Sequence, residues 1–448
     1  VSIALPIIAL NLREQRYSCH GCGNCCRDFT VQLREEDLAK LHEQRWESKL
    51  GEPITIEFRG VQYLRQRDDG SCIFLMDDGR CRVHAEFGFE SKPIACQLFP
   101  FHLLPTTSGV QMGLNFACQS VLENKGAELR AHMKDLARQA GLTPEVAQRI
   151  PPPMLNDRLR ATDDEVDAIT GRIDRWLRRH DDDADDAVSL NARLDGLAWV
   201  VASLNRAKLE NVRGKRFAEL LDVLFGALPG ELAHHPVEAP TAKQRKMLRR
   251  AVFTRIEDPK LNRMERLGRW RTTLSQLARQ RRFASGRGPA PRIGMDWPDR
   301  VDLRDVERIG PARDAEQVAM IDDLMTRYLR AIVLGSRAWG AGYYGWPIVR
   351  GLQTLLLNVA CMGWLARLHA AGRGESSLSI EDVRAALGRV DRTHGRAKWL
   401  GSSAERLRLI YLQLDDGLRR LTLTTALVES ISGQNAGKRP TRTFGHEG

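Results

Sequence analysis

The chain has 448 residues, 42% of them hydrophobic and 28% charged, with a formal net charge of +11. That length exceeds one ordinary core and predicts two or three domains, while the apolar share excludes wholesale disorder. The longest apolar stretch, Gly351 to Ala366, contains Gln353 and Asn358 and falls short of the roughly 20 apolar residues a spanning helix needs, so a buried helix is expected and no membrane span.

The N-terminal stretch VSIALPIIALNLREQR is apolar but has neither a basic region before its apolar residues nor a small-residue cleavage site after them. It predicts an edge strand or an arm rather than a signal peptide. With no export signal, the cytoplasm is the expected compartment, where thiols stay reduced and clustered cysteines point to metal or redox chemistry before disulfides.

Eight of the nine cysteines lie at or before Cys118. The run CHGCGNCC holds Cys19, Cys22, Cys25 and Cys26, and Cys72, Cys81, Cys96 and Cys118 follow. A two-residue gap lets two sulfurs turn toward one centre, and Gly21 and Gly23 permit the tight backbone path this requires. Neighbouring Cys25 and Cys26 are expected to point apart and not to share a mononuclear site. Eight thiolates make two four-ligand sets, enough for two clusters or for one cluster and a zinc ion. Both centres accept four thiolates, so the metal stays open: an iron–sulfur cluster of the [4Fe–4S] type is the leading reading and zinc the other. His20, His84 and His102 lie nearby but are not needed as ligands.

Between the cysteines the pattern alternates. FTVQL at Phe29 to Leu33 predicts a strand and Arg34 to Leu50 an amphipathic helix. Three hairpins are expected, pairing ITIEF with VQYL, IFLM with CRVH, and LFPFHLL with VQMGLNF. Beyond Glu123 the spacing becomes helical, with breaks at Pro151 to Pro153, at the acidic run Asp181 to Asp186, at HHPVEAP and at SGRGPAPR. The fold class read from this is α+β: a small Cys-rich metal-binding N-terminal module followed by a mainly α-helical C-terminal domain. The expected divisions are the module at 1–125, a helical linker region at 126–190, a helical domain at 191–432 and a disordered tail at 433–448. Cys361, inside LLLNVACMGWLA, reads as a small core residue.

Several motifs together carry a family resemblance: CHGCGNCC with Arg27, VQLREEDLAKL, SCIFL at Ser71 to Leu75, DGRC ending at Cys81, and KPIACQLFPF from Lys92 to Phe101. With these the first 120 residues resemble the CxxCxxCC cysteine-cluster family, described as zinc- or iron-chelating, which includes the flagellin lysine N-methylases. The family tends to carry Arg-Pro and Cys-Arg pairs where this chain has Lys92-Pro93 and Cys96-Gln97, which predicts less positive charge near the thiolates. The order of Tyr328-Leu329-Arg330, a glycine-rich turn, an apolar helix and Arg392-Thr393-His394 loosely resembles the C-terminal half of those methylases. That resemblance implies a protein-lysine N-methyltransferase using S-adenosylmethionine, with a protein substrate such as flagellin and a cofactor pocket between module and helices.

Between Lys243 and Arg292 stand 16 Lys or Arg against three acids. Such a stretch could meet nucleic acid or an acidic partner, but Leu261, Met264, Leu267, Trp270, Leu274 and Leu277 keep helical spacing and predict a packed helix first. Gly340, Gly342 and Gly345 form a literal GxGxxG without a clear preceding strand or a following acid for a ribose, which predicts an interhelical turn. Serine-elbow, P-loop and HExxH motifs are lacking. The functional expectation is a metal-binding cysteine-cluster protein acting as a redox or interaction module, with the methyltransferase and the polyanion binder as alternatives. Catalytic residues and oligomeric state are not legible.

Overall fold

A computed structural model describes residues 5–429 apart from 28, 59, 144–145, 147, 179–187, 257–268 and 295–296. The acidic run, the C-terminal tail and the middle of the basic stretch therefore lie outside the described residues.

The N-terminal part mixes short strands and short helices. Strand β1 (Ile7–Ile8) is followed by β2 (Arg16–Tyr17), helices α1 (Glu35–Glu43) and α2 (Trp46–Leu50), and the hairpin β3 (Thr55–Phe58) and β4 (Val61–Leu64). Helices α3 (Arg82–Phe87) and α4 (Ile94–Leu98), strands β5 (Phe101–Pro105) and β6 (Val110–Leu114), helix α5 (Gln119–Leu122), strand β7 (Ala127–Glu128) and helix α6 (Met133–Gly141) complete it. The β1-β6-β5 sheet has β1 on its edge, parallel to β6, and antiparallel β5–β6 pairs Phe101 with Leu114 through Pro105 with Val110.

Three local expectations change. The segment at Phe29 to Leu33 forms only an isolated bridge between Gln32 and Tyr63, with the Leu33 amide donating to Gln62 and the Leu64 amide to Val31. The single helix expected over Arg34 to Leu50 breaks at Arg45, which adopts φ 58°, and the break turns Trp46 inward to within 5.0 Å, centroid to centroid, of Phe74. The sequence CRVH is not a strand: after a lone Leu75–Cys81 bridge, Cys81 caps α3 and buries Val83. Two apolar groups result. Leu33, Leu41, Trp46, Ile54, Leu64, Ile73, Phe74 and Val83 form a small core, whereas β5, β6 and α5 join the large core of the helices.

The remainder is helical, as the periodicity predicts. Helices α7 (Asp163–Leu177), α8 (Leu190–Arg206), α9 (Lys215–His234), α10 (Ala242–Ile256), α11 (Arg269–Ala284) and α12 (Ala315–Leu334) precede α13 (Ile348–Gly372), α14 (Ile380–Thr393), α15 (Ser403–Leu412) and α16 (Gly417–Thr424). Helix α7 starts with a Thr162–Glu165 capping box and α14 with a Ser379–Asp382 one, each satisfying amide groups that a helix N-terminus leaves unpaired. Helix α13 is long and apolar enough to cross a membrane by length and composition, yet it is enclosed by its neighbours and Cys361 is buried within it.

The glycine-rich motif is a turn between α12 and α13, with Gly340 bridged to Trp346, and Tyr328 to Leu334 belongs to the preceding helix. In the basic stretch, α10 buries Leu248, Val252 and Phe253. The expected packed face does not continue through α11, however. Leu274 and Leu277 are 63% and 47% exposed, because α11 meets the core through Phe283 and Ala284 at its end.

Candidate metal centre

Two tight backbone passages bring the cysteines together. Gly21 and Gly23 adopt φ 72° and 73°, conformations that cost a residue with a Cβ on the order of 1 kcal/mol. A Cβ on Gly23 would lie 3.0 Å from the Gly79 carbonyl oxygen, and one on Gly79 would lie 2.9 Å from that of Gly21. The CHGCGNCC loop and the Asp78-Gly79-Arg80 turn thus pack backbone against backbone, which brings Cys22 and Cys81 to the same cavity. The Cys72 amide donates to the Cys26 carbonyl at 2.7 Å, joining a third segment. Cys96 sits within α4, and Cys118 caps α5.

Seven of the eight predicted ligands, Cys19, Cys22, Cys25, Cys26, Cys81, Cys96 and Cys118, line one cavity of about 520 Å³. Cys72 is not in that lining, although it lies near enough for its charge to act on Cys26 and Cys96 and for that of Cys25 to act on it. All nine cysteines are free thiols. The expectation that Cys25 and Cys26 diverge is corrected: their sulfurs are 3.9 Å apart, held by the short 3-10 turn Asn24–Cys26. Two sulfurs on one tetrahedral ion, with metal–sulfur bonds of about 2.3 Å, stand about 3.8 Å apart. Among the described residues, no three His, Cys, Asp or Glu side chains converge tightly enough to hold an ion as they stand.

The electrostatics of the Cys25–Cys26 pair favour a single thiolate. A hydrogen bond from the Cys26 thiol lowers Cys25 to about 6 against the effect of burial, helped by Lys92 and Arg392, and the same contact holds Cys26 protonated. Burial pushes Cys72 and Cys118 up to about 12 and raises Cys22 and Cys96. Backbone N–H groups oppose this, from Asn24 at Cys22, from Phe74 at Cys72, and from Val121 and Ser120 at Cys118. Amide donors aimed at sulfur favour the thiolate, and a cation among these sulfurs would offset the burial that otherwise keeps them protonated. The donor set therefore suits a thiophilic metal.

Lys92 and Arg392 stand among these thiols, where sequence reasoning assigned them no electrostatic part. Burial alone would lower the Lys92 pKa, but the surrounding Cys96, Cys81, Cys25 and Cys26 raise it, and its ammonium lies 5.3 Å from the Phe89 ring centroid. Two cations stand near the thiols: lysine keeps one where the family tends to have arginine, and α14 brings a second in Arg392, whose guanidinium donates to the Arg27 carbonyl at 2.9 Å. Gln97 turns instead to the carbonyls of Glu90 and Lys92, at 3.1 and 2.6 Å, and closes that loop. His20 and His84 line the cavity, whereas His102 lies outside it, its Nε2 3.3 Å from the Asn115 amide.

Residues 18–124 match the CxxCxxCC family, described as "Putative zinc- or iron-chelating domain". An uncharacterized protein of Methanocaldococcus jannaschii is 30% identical over 98 residues, 21% of this chain and 33% of that protein. The matched segment thus spans about a third of the relative's length. No solved structure matches the chain. A CxxCxxCC cysteine-cluster domain is present in the N-terminal region, and neither match carries a methyltransferase name.

Proposed function

We propose that the N-terminal module is a metal-binding cysteine-cluster unit whose ligands come from Cys19, Cys22, Cys25, Cys26, Cys72, Cys81, Cys96 and Cys118, and that it serves the helical part as a redox or interaction module. The observation that carries this reading is the gathering of seven cysteines around one cavity. The family description, which names zinc or iron, points the same way.

An iron–sulfur cluster is the favoured occupant. About 520 Å³ is far more than one ion needs and falls within the range of small-molecule pockets, roughly 300–1,000 Å³. A bound cluster would supply one-electron chemistry, and zinc would supply cross-linking alone. Lys92 and Arg392 would offset the thiolate charge, and the amides of Asn24, Phe74, Ser120 and Val121 would hold sulfur lone pairs. The methyltransferase and polyanion expectations rest on resemblance and on charge, and the cavity adds no observation to either.

The test is parallel aerobic and anaerobic purification with metal and acid-labile sulfide analysis. Iron with matching sulfide supports the cluster; zinc without sulfide supports the structural ion. Protein that purifies folded with neither, and that takes up neither on anaerobic reconstitution, overturns the reading.

A further inference from the structure

A second cavity, of about 380 Å³, lies where the cysteine module meets α14. It shares Asn24 and Gln119 with the cysteine cavity, so the two adjoin. One face of α14 forms its floor: Arg384, Gly388 and Arg392 recur at four-residue spacing, which places them in one row along a helix. Arg27 enters from the module, and Trp297 with His369, rings 5.2 Å apart, forms another part of the wall.

The acids of this lining are already engaged. Asp69 accepts from the Ser71 amide and hydroxyl at 2.8 and 2.7 Å, Glu123 pairs with Lys125 at 2.6 Å, and Glu381 lies 3.4 Å from Arg373. Lys125 and Gln119 stabilise the Glu123 carboxylate more than Arg384 does, and the buried Arg384 Nε has no hydrogen-bond partner among the described residues. A buried guanidinium donor left without an acceptor is destabilising, and a ligand oxygen would relieve that cost. Gly388 keeps the middle of the floor open, since no side chain projects from it.

We propose that this cavity binds a small organic anion whose carboxylate or phosphate meets Arg384 with Arg27 and Arg392, and whose planar part lies against Trp297 and His369. Guanidinium groups hold such oxyanions through paired hydrogen bonds. The site goes beyond metal binding and does not depend on it.

Calorimetry on the purified full chain, with metal and sulfide measured on the same sample, tests the proposal. The probes are 4-hydroxybenzoate and AMP, which carry a carboxylate and a phosphate on planar-ring molecules, and ringless acetate and inorganic phosphate. At least one ring-bearing anion should bind saturably, about tenfold more tightly than its ringless counterpart, and Arg384→Gln should weaken it by about tenfold, with partial recovery in Arg384→Lys. Gly388→Gln should also block binding. A Cβ there lies 3.4 Å from Leu122, ordinary contact, so the fold should tolerate it while the side chain fills the floor. Absence of saturable binding by both ring-bearing probes up to about 10 mM, or unchanged binding in Arg384→Gln or Gly388→Gln, overturns the proposal. Anion binding by metal-free protein would leave this site standing, and the metal centre is decided separately by reconstitution of the same sample.

Discussion

The Asp391 carboxylate on α14 accepts the backbone N–H of Phe116 at 2.6 Å, across 275 residues of chain. The same oxygen pairs with Arg337 at 3.1 Å, and Arg337 also donates to the Leu114 carbonyl. This fully buried junction ties Leu114 at the end of β6, and Phe116 two residues before Cys118, to the helices. Gln15 and Glu14 add contacts from the other side, to Arg327 at 2.7 Å and to Arg330. The position of Cys118 is therefore set partly by groups distant in sequence.

Asp391→Ala should remove one partner of a buried ion pair and leave the Arg337 charge and the Phe116 amide unsatisfied. A loss of roughly 3–5 kcal/mol is expected, the usual cost of orphaning a buried charge. Urea denaturation followed by circular dichroism measures it, and a change under 1 kcal/mol would contradict the junction's role, since ordinary surface substitutions already fall within about that range.

Cys25→Ser should abolish or sharply reduce bound metal and open residues 18–124 to limited proteolysis, because closing these loops without ligation leaves only a small core. Cys361→Ser is the control. It lies in α13, away from the cavity, and should keep the metal content even if it lowers stability. Equal metal in Cys25→Ser and wild type would sink the ligand assignment.

Lys92→Gln should lower the reduction potential of a bound iron–sulfur cluster, by tens of millivolts in order of magnitude, because a buried cation beside the thiolates favours the extra electron. Lys92→Arg should restore it. Potentiometric titration of reconstituted protein reads the shift, and a potential unmoved by Lys92→Gln would show that the ammonium does not sense the cluster.

His394 gives an acid-sensitive contribution. Its Nε2 donates to the Arg337 carbonyl at 2.8 Å and its Nδ1 accepts from Asn358 at 3.0 Å, a pairing that suits the neutral ring. Burial, with Arg337 nearby, lowers it from 6.5 to about 4. The unfolded chain then binds the proton more readily, so this stabilisation is complete above pH 6.5 and is lost as pH falls toward 4, by about 3 kcal/mol at most. Stability of His394→Gln measured against pH should slope less steeply across that window than wild type, and parallel curves would refute the assignment.

The sequence alone determined the cysteine set, the need for glycine at 21 and 23, the change from mixed to helical structure, and the buried character of α13. Each follows from local chemistry: residue type, spacing of a few positions, and turn propensity. It misjudged CRVH, the continuity of the helix through Arg45, the divergence of Cys25 and Cys26, and the packing of Leu274 and Leu277. In each of those cases the outcome depended on which neighbour a side chain would meet. The charge around the thiolates and the adjoining arginine cleft were likewise decided only by tertiary structure, because Arg384 and Arg392 reach the module from more than 250 residues away. A pattern read along the chain can show that α14 is helical and amphipathic, but it carries no information about which surface its arginines will face.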